Sequence, residues 1–171
     1  MTNLIVPVSR LNKNVIASFK NFDCGDSFLN QFVRNKLVKY DQKDLHKGFV
    51  MLVADELAGS FTMRVNSLER EFLDSEALPL TIPTISLEQI ATSVKFRGRG
   101  FGKQLLRTAL EIAVEVSSGT GVKGIHLWSH PRALDFYRSL GFHELTTRTQ
   151  SGLTLTLMFL PIETIRAANY W

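Results

Sequence analysis

The stretch Arg97-Gly98-Arg99-Gly100-Phe101-Gly102-Lys103 is the most informative segment of this chain. An apolar segment, Thr84 to Val94, precedes it and predicts a β-strand, and apolar residues at helical spacing follow over about Gly100 to Val116. Alternate glycines let the backbone adopt left-handed angles and approach a ligand closely. A helix start adds unpaired N–H groups and a partial positive charge. The stretch therefore predicts a phosphate-binding turn between a strand and a helix.

The two common nucleotide-binding loops do not fit this turn. A Walker A loop requires Ser or Thr after its Gly-Lys pair, and the chain has Gln104 there. A dinucleotide fingerprint that starts at Gly98 requires Gly or Ala where the chain has Lys103, and one that starts at Gly100 meets Leu105. The ligand is therefore expected to be a phosphate compound of another kind.

Two motifs resemble those of the GNAT N-acetyltransferase superfamily. Arg97-x-x-Gly100-x-Gly102 is similar to the family's pyrophosphate loop, Q/R-x-x-G-x-G/A, and Ala133 to Phe142 is similar to its second motif, A-x-x-FY-x-x-x-GF. The two motifs lie at the usual separation, and the resemblance covers about residues 49–160. It implies an α/β fold in which helices flank a mixed, mostly antiparallel central sheet with splayed central strands. It also implies acetyl-CoA as co-substrate and no metal.

The resemblance implies a role for each matching residue. The backbone of the splayed strand would pair with the pantetheine arm, and the loop would hold the pyrophosphate, with Arg97 either orienting the loop or reaching a phosphate. Tyr137 would protonate the departing thiolate, and Glu88 is the candidate general base; the alternatives are a core tyrosine and an exposed strand glutamate. The implied acetyl-CoA contacts are Ile90, Ala91, Thr92, Arg97, Gly98, Arg99, Gly100, Phe101, Gly102 and Lys103.

The amino-terminal segment resembles a narrower group. Phe22-Asp23-Cys24-Gly25, followed by Leu29-Asn30-x-Phe32, is similar to the FDCG-x-x-x-LN-x-F opening of GNAT-type toxins of bacterial toxin–antitoxin modules. Those toxins acetylate the amino group of aminoacyl-tRNA. The resemblance implies an amine acceptor, with tRNA, a ribbon-helix-helix antitoxin and a second copy of the chain as candidate partners. A basic helix at Arg34 to Lys47, with Arg64 and Arg97 to Arg107, would suit RNA phosphates.

One departure keeps other acceptors open. The toxins commonly have Leu-Gly-Arg-Leu-Ala on the central strand, where this chain has Leu87-Glu88-Gln89-Ile90-Ala91. A glutamate there would repel RNA and suit a basic amine. A protein or small-molecule amine is therefore an alternative acceptor, and a non-catalytic module that binds CoA or a partner is a second alternative. Cys24 has no paired base, and His46, His126 and His143 show no metal-ligand spacing. His130 is a second candidate base, and the alternative is a histidine at a helix start or on the surface.

Composition limits the remaining classes. The 171 residues suit one domain, predicted to span 1–171 with its core motifs at 84–142. Lys and Arg outnumber Asp and Glu by eight to four in residues 1–47 and by ten to five in 95–171, whereas residues 48–94 hold two against seven. The apolar runs are too short to span a bilayer, no signal peptide is evident, and one cysteine forms no intrachain disulfide. A cytoplasmic protein that does not contact membranes is expected.

Periodicity predicts the remaining elements. A first strand is expected over Leu4 to Val8, and an amphipathic helix over Phe28 to Tyr40. A hairpin should turn at Asp55 to Ala58, and residues 68–83 should form an irregular loop. The carboxy-terminal part is predicted to hold a strand over Val122 to Trp128, a short helix over Pro131 to Leu140, and two closing strands over Phe142 to Thr149 and Leu153 to Leu160.

Overall fold

The structure, a computed structural model, describes residues 4–168, so the predicted domain ends at 1 and 171 lie outside the described residues. Within that range the chain forms seven strands, which are β1 Leu4–Pro7, β2 Lys47–Val53, β3 Glu56–Glu69, β4 Thr81–Thr92, β5 Gly124–Ser129, β6 His143–Gln150 and β7 Leu153–Pro161. The α-helices of the same range are α1 Lys13–Ser18, α2 Ser27–Asn35, α3 Leu37–Gln42, α4 Phe101–Ser117, α5 Leu134–Ser139 and α6 Ile162–Ala167.

The strands form one mixed sheet in the order β1-β2-β3-β4-β5-β7-β6. The pairs β1–β2, β2–β3, β5–β7 and β6–β7 are antiparallel, and β4 pairs in parallel with β5. The predicted class, a mostly antiparallel sheet with flanking helices, is therefore confirmed. No helix among residues 4–168 is long and apolar enough to cross a membrane.

The chain divides into two compact units. The first contains the residues up to Arg64 together with Leu87–Ala109. Its core packs the amino-terminal helices against β2 and β3, and fully buried members include Phe19, Val33, Leu37 and Val50. The glycine-rich turn and the start of α4 belong to this unit.

The second unit contains Val65–Ser86 and the chain from Leu110 onward. Here β5 and β7 pair from Gly124 opposite Pro161 to Ser129 opposite Thr156. Leu68, Ile82, Leu157 and Phe159 form its apolar cluster. Tyr137 lies in this unit, on α5.

Several predicted elements differ in detail. The segment 68–83, predicted to be an irregular loop, contains the end of β3, a 3-10 turn over Arg70–Leu73 and the start of β4. The predicted helix over Phe28 to Tyr40 is two helices, because the backbone at Lys36 has φ −120° and ψ −31°. The break lets Leu37 pack with no exposed surface over Gly48, where a Cβ would lie 2.8 Å from the leucine Cδ1. The hairpin turns on Ala54 and Asp55, both with positive φ, rather than on Asp55 to Ala58. This conformation fits a two-residue turn, which normally carries Gly or Asn.

Candidate active site

The glycine turn connects β4 to α4 and is open on one side. Gly98 and Gly100 have φ of +78° and +75°, a conformation that side chains rarely adopt. A Cβ at Gly98, Gly100 or Gly102 would meet no atom within 4 Å, so the backbone leaves room for a ligand. Gln104 donates its backbone N–H to the Gly100 carbonyl, which makes Gly100 the first residue to accept a helix hydrogen bond.

The helix start supplies the chemistry of an anion site. The N–H groups of the first helical turn, at Phe101, Gly102 and Lys103, precede the first possible helix hydrogen bond. α4 runs for 17 residues, long enough for its aligned peptide dipoles to place partial positive charge at this end. The predicted pyrophosphate loop therefore combines open space for a ligand, free backbone N–H donors and a positive electrostatic potential.

Two aromatic rings pack against each other beside the glycine turn. Phe96 and Phe101 are 6% and 5% exposed, and their ring centroids lie 6.0 Å apart. The Arg99 guanidinium lies 5.3 Å from the Phe96 centroid. Since the Phe101 side chain is buried, only its backbone is available to a ligand. The contact between these two rings was not predicted, although an aromatic residue on each side of Gly98 and Gly100 was a signal for it.

Arg97 points to the amino-terminal segment. Its Nη2 donates to the Cys24 carbonyl over 2.9 Å. Of the two roles predicted for Arg97, orienting the loop and reaching a phosphate, this contact favours the first. Cys24 itself is 9% exposed, and burial raises the pKa of its thiol, which keeps the sulfur protonated and a poor nucleophile.

Glu88 and Gln89 lie on β4 before the turn. The Glu88 side chain is 28% exposed, and its Oε1 accepts from Arg64 Nε over 3.1 Å. Gln89 has a positive φ of 45°, which interrupts the extended strand and is unusual for this residue type. Thr62 Oγ1 lies 2.8 Å from Gln89 Oε1 and 3.1 Å from the Glu88 carbonyl. The contacts that Arg64 and Thr62 make with Glu88 and Gln89 were not predicted, because pairing between distant strands leaves no local sequence signal.

The strand segment predicted to meet pantetheine, Ile90 to Thr92, ends β4. Its last residues lie close to β3: a Cβ on Gly59 would be 3.0 Å from the Ala91 carbonyl oxygen and 2.8 Å from Leu105 Cδ1. Ser93 then donates its N–H to the Ala58 carbonyl over 2.8 Å. Gly59 therefore permits a close approach of β3 to both β4 and α4.

Tyr137 is buried on α5, with 5% of its surface exposed. Its ring packs against Phe136 and Phe142, with centroids 5.3 Å and 5.4 Å away. Burial raises the pKa of the phenol to about 12. Such a phenol stays protonated at neutral pH and can donate a hydrogen bond or proton.

Three of the four histidines, His46, His126 and His130, make hydrogen-bond contacts within the fold. His130 precedes a 3-10 turn at Pro131–Ala133, and its Nδ1 accepts from the Arg132 N–H over 3.2 Å. His46 Nε2 lies 3.0 Å from the Leu37 carbonyl, and His126 Nδ1 lies 2.9 Å from Thr84 Oγ1. Within residues 4–168, no group of three His, Cys, Asp or Glu side chains is placed to hold a metal ion.

Comparisons with known proteins agree with this arrangement. The acetyltransferase (GNAT) domain family matches residues 44–144. A curated relative, a tRNA-acetylating toxin of Mycobacterium tuberculosis (strain ATCC 25618 / H37Rv), is 24% identical over 126 residues, which cover 71% of this chain and 76% of that protein. A solved structure described as a bacterial toxin is 27% identical, with a TM-score of 0.85, and 97% of this chain and 95% of that chain are covered.

The toxin AtaT has the same fold in two complexes. In one it is bound to acetyl-methionyl-tRNAfMet, at 22% identity and a TM-score of 0.81, with 96% of this chain and 98% of that chain covered. In the other, a mutant AtaT is bound to the C-terminus of the antitoxin AtaR and to acetyl-CoA, at 22% identity and a TM-score of 0.76, with 97% of both chains covered.

Proposed function

This chain belongs to the GNAT acetyltransferase family and is an acyltransferase, and we propose that it moves the acetyl group of acetyl-CoA to the α-amino group of aminoacyl-tRNA. The observation that carries the proposal is the open glycine turn at the start of α4, where left-handed Gly98 and Gly100 expose backbone to a ligand. A helix start of this kind suits the pyrophosphate of CoA.

The co-substrate would lie along the end of β4 and the turn. Backbone groups of Ile90 to Thr92 would pair with the pantetheine arm. The N–H groups of Gly98 to Lys103 would hold the pyrophosphate, and the exposed Arg99 and Lys103 would add positive charge. The acetyl-CoA complex of the AtaT mutant, which shares this fold, supports the assignment.

The transfer requires two proton movements. The neutral amine attacks the thioester carbonyl, so a C–N bond forms, the C–S bond breaks, and the electron pair of that bond leaves on sulfur. Tyr137 is proposed to give its proton to the departing thiolate, a role that its high pKa permits. Glu88 is the proposed base that accepts the amine proton, directly or through water.

The acceptor is proposed from charge and from relatives. The basic helix predicted over Arg34 to Lys47 is broken at Lys36 and ends at Gln42. Five basic residues of this segment are exposed: Arg34 on α2, Lys36 between the helices, Lys39 on α3, Lys43 after it and Lys47 at the start of β2. Basic side chains in such a row neutralise RNA phosphates. The Mycobacterium tuberculosis relative acetylates tRNA, and AtaT binds an acetylated aminoacyl-tRNA.

Glu88 favours a second candidate, a protein or small basic amine, because its carboxylate would attract a cation. The ion pair between Glu88 and Arg64 weakens both the attraction of the carboxylate for a basic amine and its repulsion of RNA, so aminoacyl-tRNA stays the first candidate.

The proposed protein partners are a ribbon-helix-helix antitoxin and a second copy of the chain. The proposed location is the cytoplasm, which holds aminoacyl-tRNA. AtaT bound to AtaR supports the antitoxin.

The test is CoA release by the full chain with four acceptors: aminoacyl-tRNA, the same tRNA without its amino acid, a lysine peptide and a small diamine. Release is expected with aminoacyl-tRNA and absent with deacylated tRNA, which presents the same phosphates without the amine. Turnover of the peptide or diamine, with none on aminoacyl-tRNA, would move the proposal to the second candidate. Binding of acetyl-CoA without release for any amine would identify a non-catalytic module.

A further inference from the structure

The Asp23–Gly25 turn of the amino-terminal segment is held by its own hydrogen bonds. Asp23 Oδ1 accepts from the Gly25 N–H over 2.8 Å and from Asn30 Nδ2 over 2.9 Å. Asn30 Oδ1 in turn accepts from the Cys24 N–H over 2.7 Å. Three hydrogen bonds within so few residues leave the turn little conformational freedom, so it can serve as a fixed support.

Two further hydrogen bonds join this turn to the base of the glycine loop. Val94 donates its N–H to the Asp23 carbonyl over 2.9 Å. Arg97 Nη2 donates to the Cys24 carbonyl over 2.9 Å, across 73 residues of sequence. Both donors belong to the segment that leads from β4 into Gly98.

Gly25 is shaped to receive the Arg97 side chain. Its φ is +83°, and a Cβ there would lie 2.8 Å from Arg97 Nη2. Real Cβ atoms essentially never approach so closely, so any other residue would displace the guanidinium in addition to straining the backbone. Gly25 and Arg97 therefore fit each other specifically.

We infer that Arg97 is a positioning residue, which anchors the glycine loop to the Asp23–Gly25 turn in the conformation that receives acetyl-CoA. The inference rests on the proposed function. The open faces of Gly98 and Gly100 give the loop few contacts of its own. An anchor at Arg97 therefore lowers the ordering cost of binding, because the loop is already in place.

The main alternative is that Arg97 binds a phosphate directly. In that case Gly25→Ala, which leaves the guanidinium intact, would have little effect on acetyl-CoA binding, whereas Arg97→Ala would weaken it. Positioning predicts that both variants weaken binding and that their effects overlap, since each breaks the same hydrogen bond.

The experiment measures the Kd of acetyl-CoA by calorimetry for the full-length wild type, Gly25→Ala, Arg97→Ala and the double variant. Each single change is expected to raise Kd by about tenfold, the scale of one charge-assisted hydrogen bond. The double variant should bind little more weakly than Arg97→Ala, because the added Cβ then has no guanidinium to displace and only the backbone strain at position 25 remains. In steady state the loss should fall mainly on the KM for acetyl-CoA and less on kcat, because the loop positions the co-substrate and not the acceptor amine.

Gly152→Ala is the matched control, since Gly152 has φ +77° and open space at its Cβ. It carries the same backbone strain without an arginine nearby, and its Kd should be unchanged. An unchanged Kd for Gly25→Ala, or effects that multiply in the double variant, would overturn the inference alone. Failure of the wild type to bind acetyl-CoA would overturn the proposed function and the inference with it.

Discussion

Tyr137 combines a closely packed ring with a raised pKa of its phenol, and burial causes both. Its ring is almost fully buried among Phe136 and Phe142, and burial raises the pKa of its phenol to about 12. The first property also fits a core aromatic, so packing alone does not distinguish the two roles. Removal of the hydroxyl alone separates them, because the ring contacts survive.

Tyr137→Phe is expected to lower kcat by about 100- to 10,000-fold, the usual contribution of a general acid, while the Kd of acetyl-CoA stays nearly constant. The raised pKa adds a pH prediction: the phenol stays protonated below about 12, so it should cause no loss of activity up to about pH 10. Single-turnover rates across pH provide the measurement. Wild-type rates in a folded variant would leave Tyr137 a core residue.

Asp23 adds a prediction about acid stability. Hydrogen bonds from the Gly25 backbone and from Asn30 hold the pKa of its carboxyl below the ordinary value of 3.8. A group whose pKa falls on folding stabilises the protein above its unfolded pKa and loses that effect as pH falls through the folded pKa. Asp23→Asn should therefore lower the free energy of unfolding at neutral pH, and the difference from wild type should shrink below pH 3.8.

Urea unfolding of both proteins from neutral pH down to acid is the measurement. A stability difference that stays constant, or grows, as Asp23 becomes protonated would show that the charge of the carboxylate does not support the turn. Asparagine keeps an oxygen at the same position, so the comparison isolates the charge.

At the scale of the element, substitutions in the glycine turn test most sharply whether this turn binds the pyrophosphate of acetyl-CoA. Gly102 has an ordinary φ, and a Cβ there would meet no atom within 4 Å, so a side chain can start at this position without backbone strain. Gly102→Glu places a carboxylate at the proposed pyrophosphate site and is expected to abolish detectable acetyl-CoA binding through charge repulsion. Gly100→Glu adds backbone strain and should do the same.

Gly102→Ala is the control for this experiment, because the family motif allows alanine at that position. It should keep most of the affinity. Calorimetry on the three variants reports the result, and undiminished binding by both glutamate variants would remove the turn from the acetyl-CoA site.

Elements that depend on periodicity were predictable, and contacts between distant residues were not. The spacing of Leu105, Leu106 and Ala109 indicates α4, and Asp26, a residue type that favours helix starts, caps α2 by accepting from the Leu29 N–H over 3.0 Å. The break at Lys36 was missed because apolar spacing continues across it. The two-residue turn at Ala54 and Asp55 lacks the glycine that would have indicated it.

The same division applies to the candidate site. The motif residues of the turn and Tyr137 follow from local sequence. The partners that orient Arg97 and Glu88, namely the Cys24 carbonyl and Arg64, come from segments 73 and 24 residues away. Only folding brings such pairs together, so no local pattern records them.

At the scale of the whole molecule, the exposed basic residues of the segment 34–47 predict that KM for an RNA acceptor depends on salt. Replacing Lys36, Lys39, Lys43 and Lys47 by alanine together should raise KM for aminoacyl-tRNA and flatten its salt dependence. The log–log slope should fall by about 0.7 to 0.9 for each phosphate that the variant no longer neutralises. Turnover of a small amine should not change, since that acceptor has no phosphates.

Lys47→Ala alone is the matched control. Because Lys47 already pairs with Asp44 over 2.6 Å, Lys47→Ala should change the slope less than the combined loss of Lys36, Lys39 and Lys43. Plots of KM against salt for both variants give the result. An identical slope in wild type and the fourfold variant would place RNA binding elsewhere.

The most direct test of the central claim identifies the product. The full chain is incubated with acetyl-CoA and aminoacyl-tRNA, the ester is hydrolysed in mild base, and the released amino acid is analysed by mass spectrometry. The proposed function predicts an N-acetylated amino acid, formed with wild type and strongly reduced with Tyr137→Phe. Release of only the unmodified amino acid, while CoA is still produced from a peptide or small amine, would contradict it.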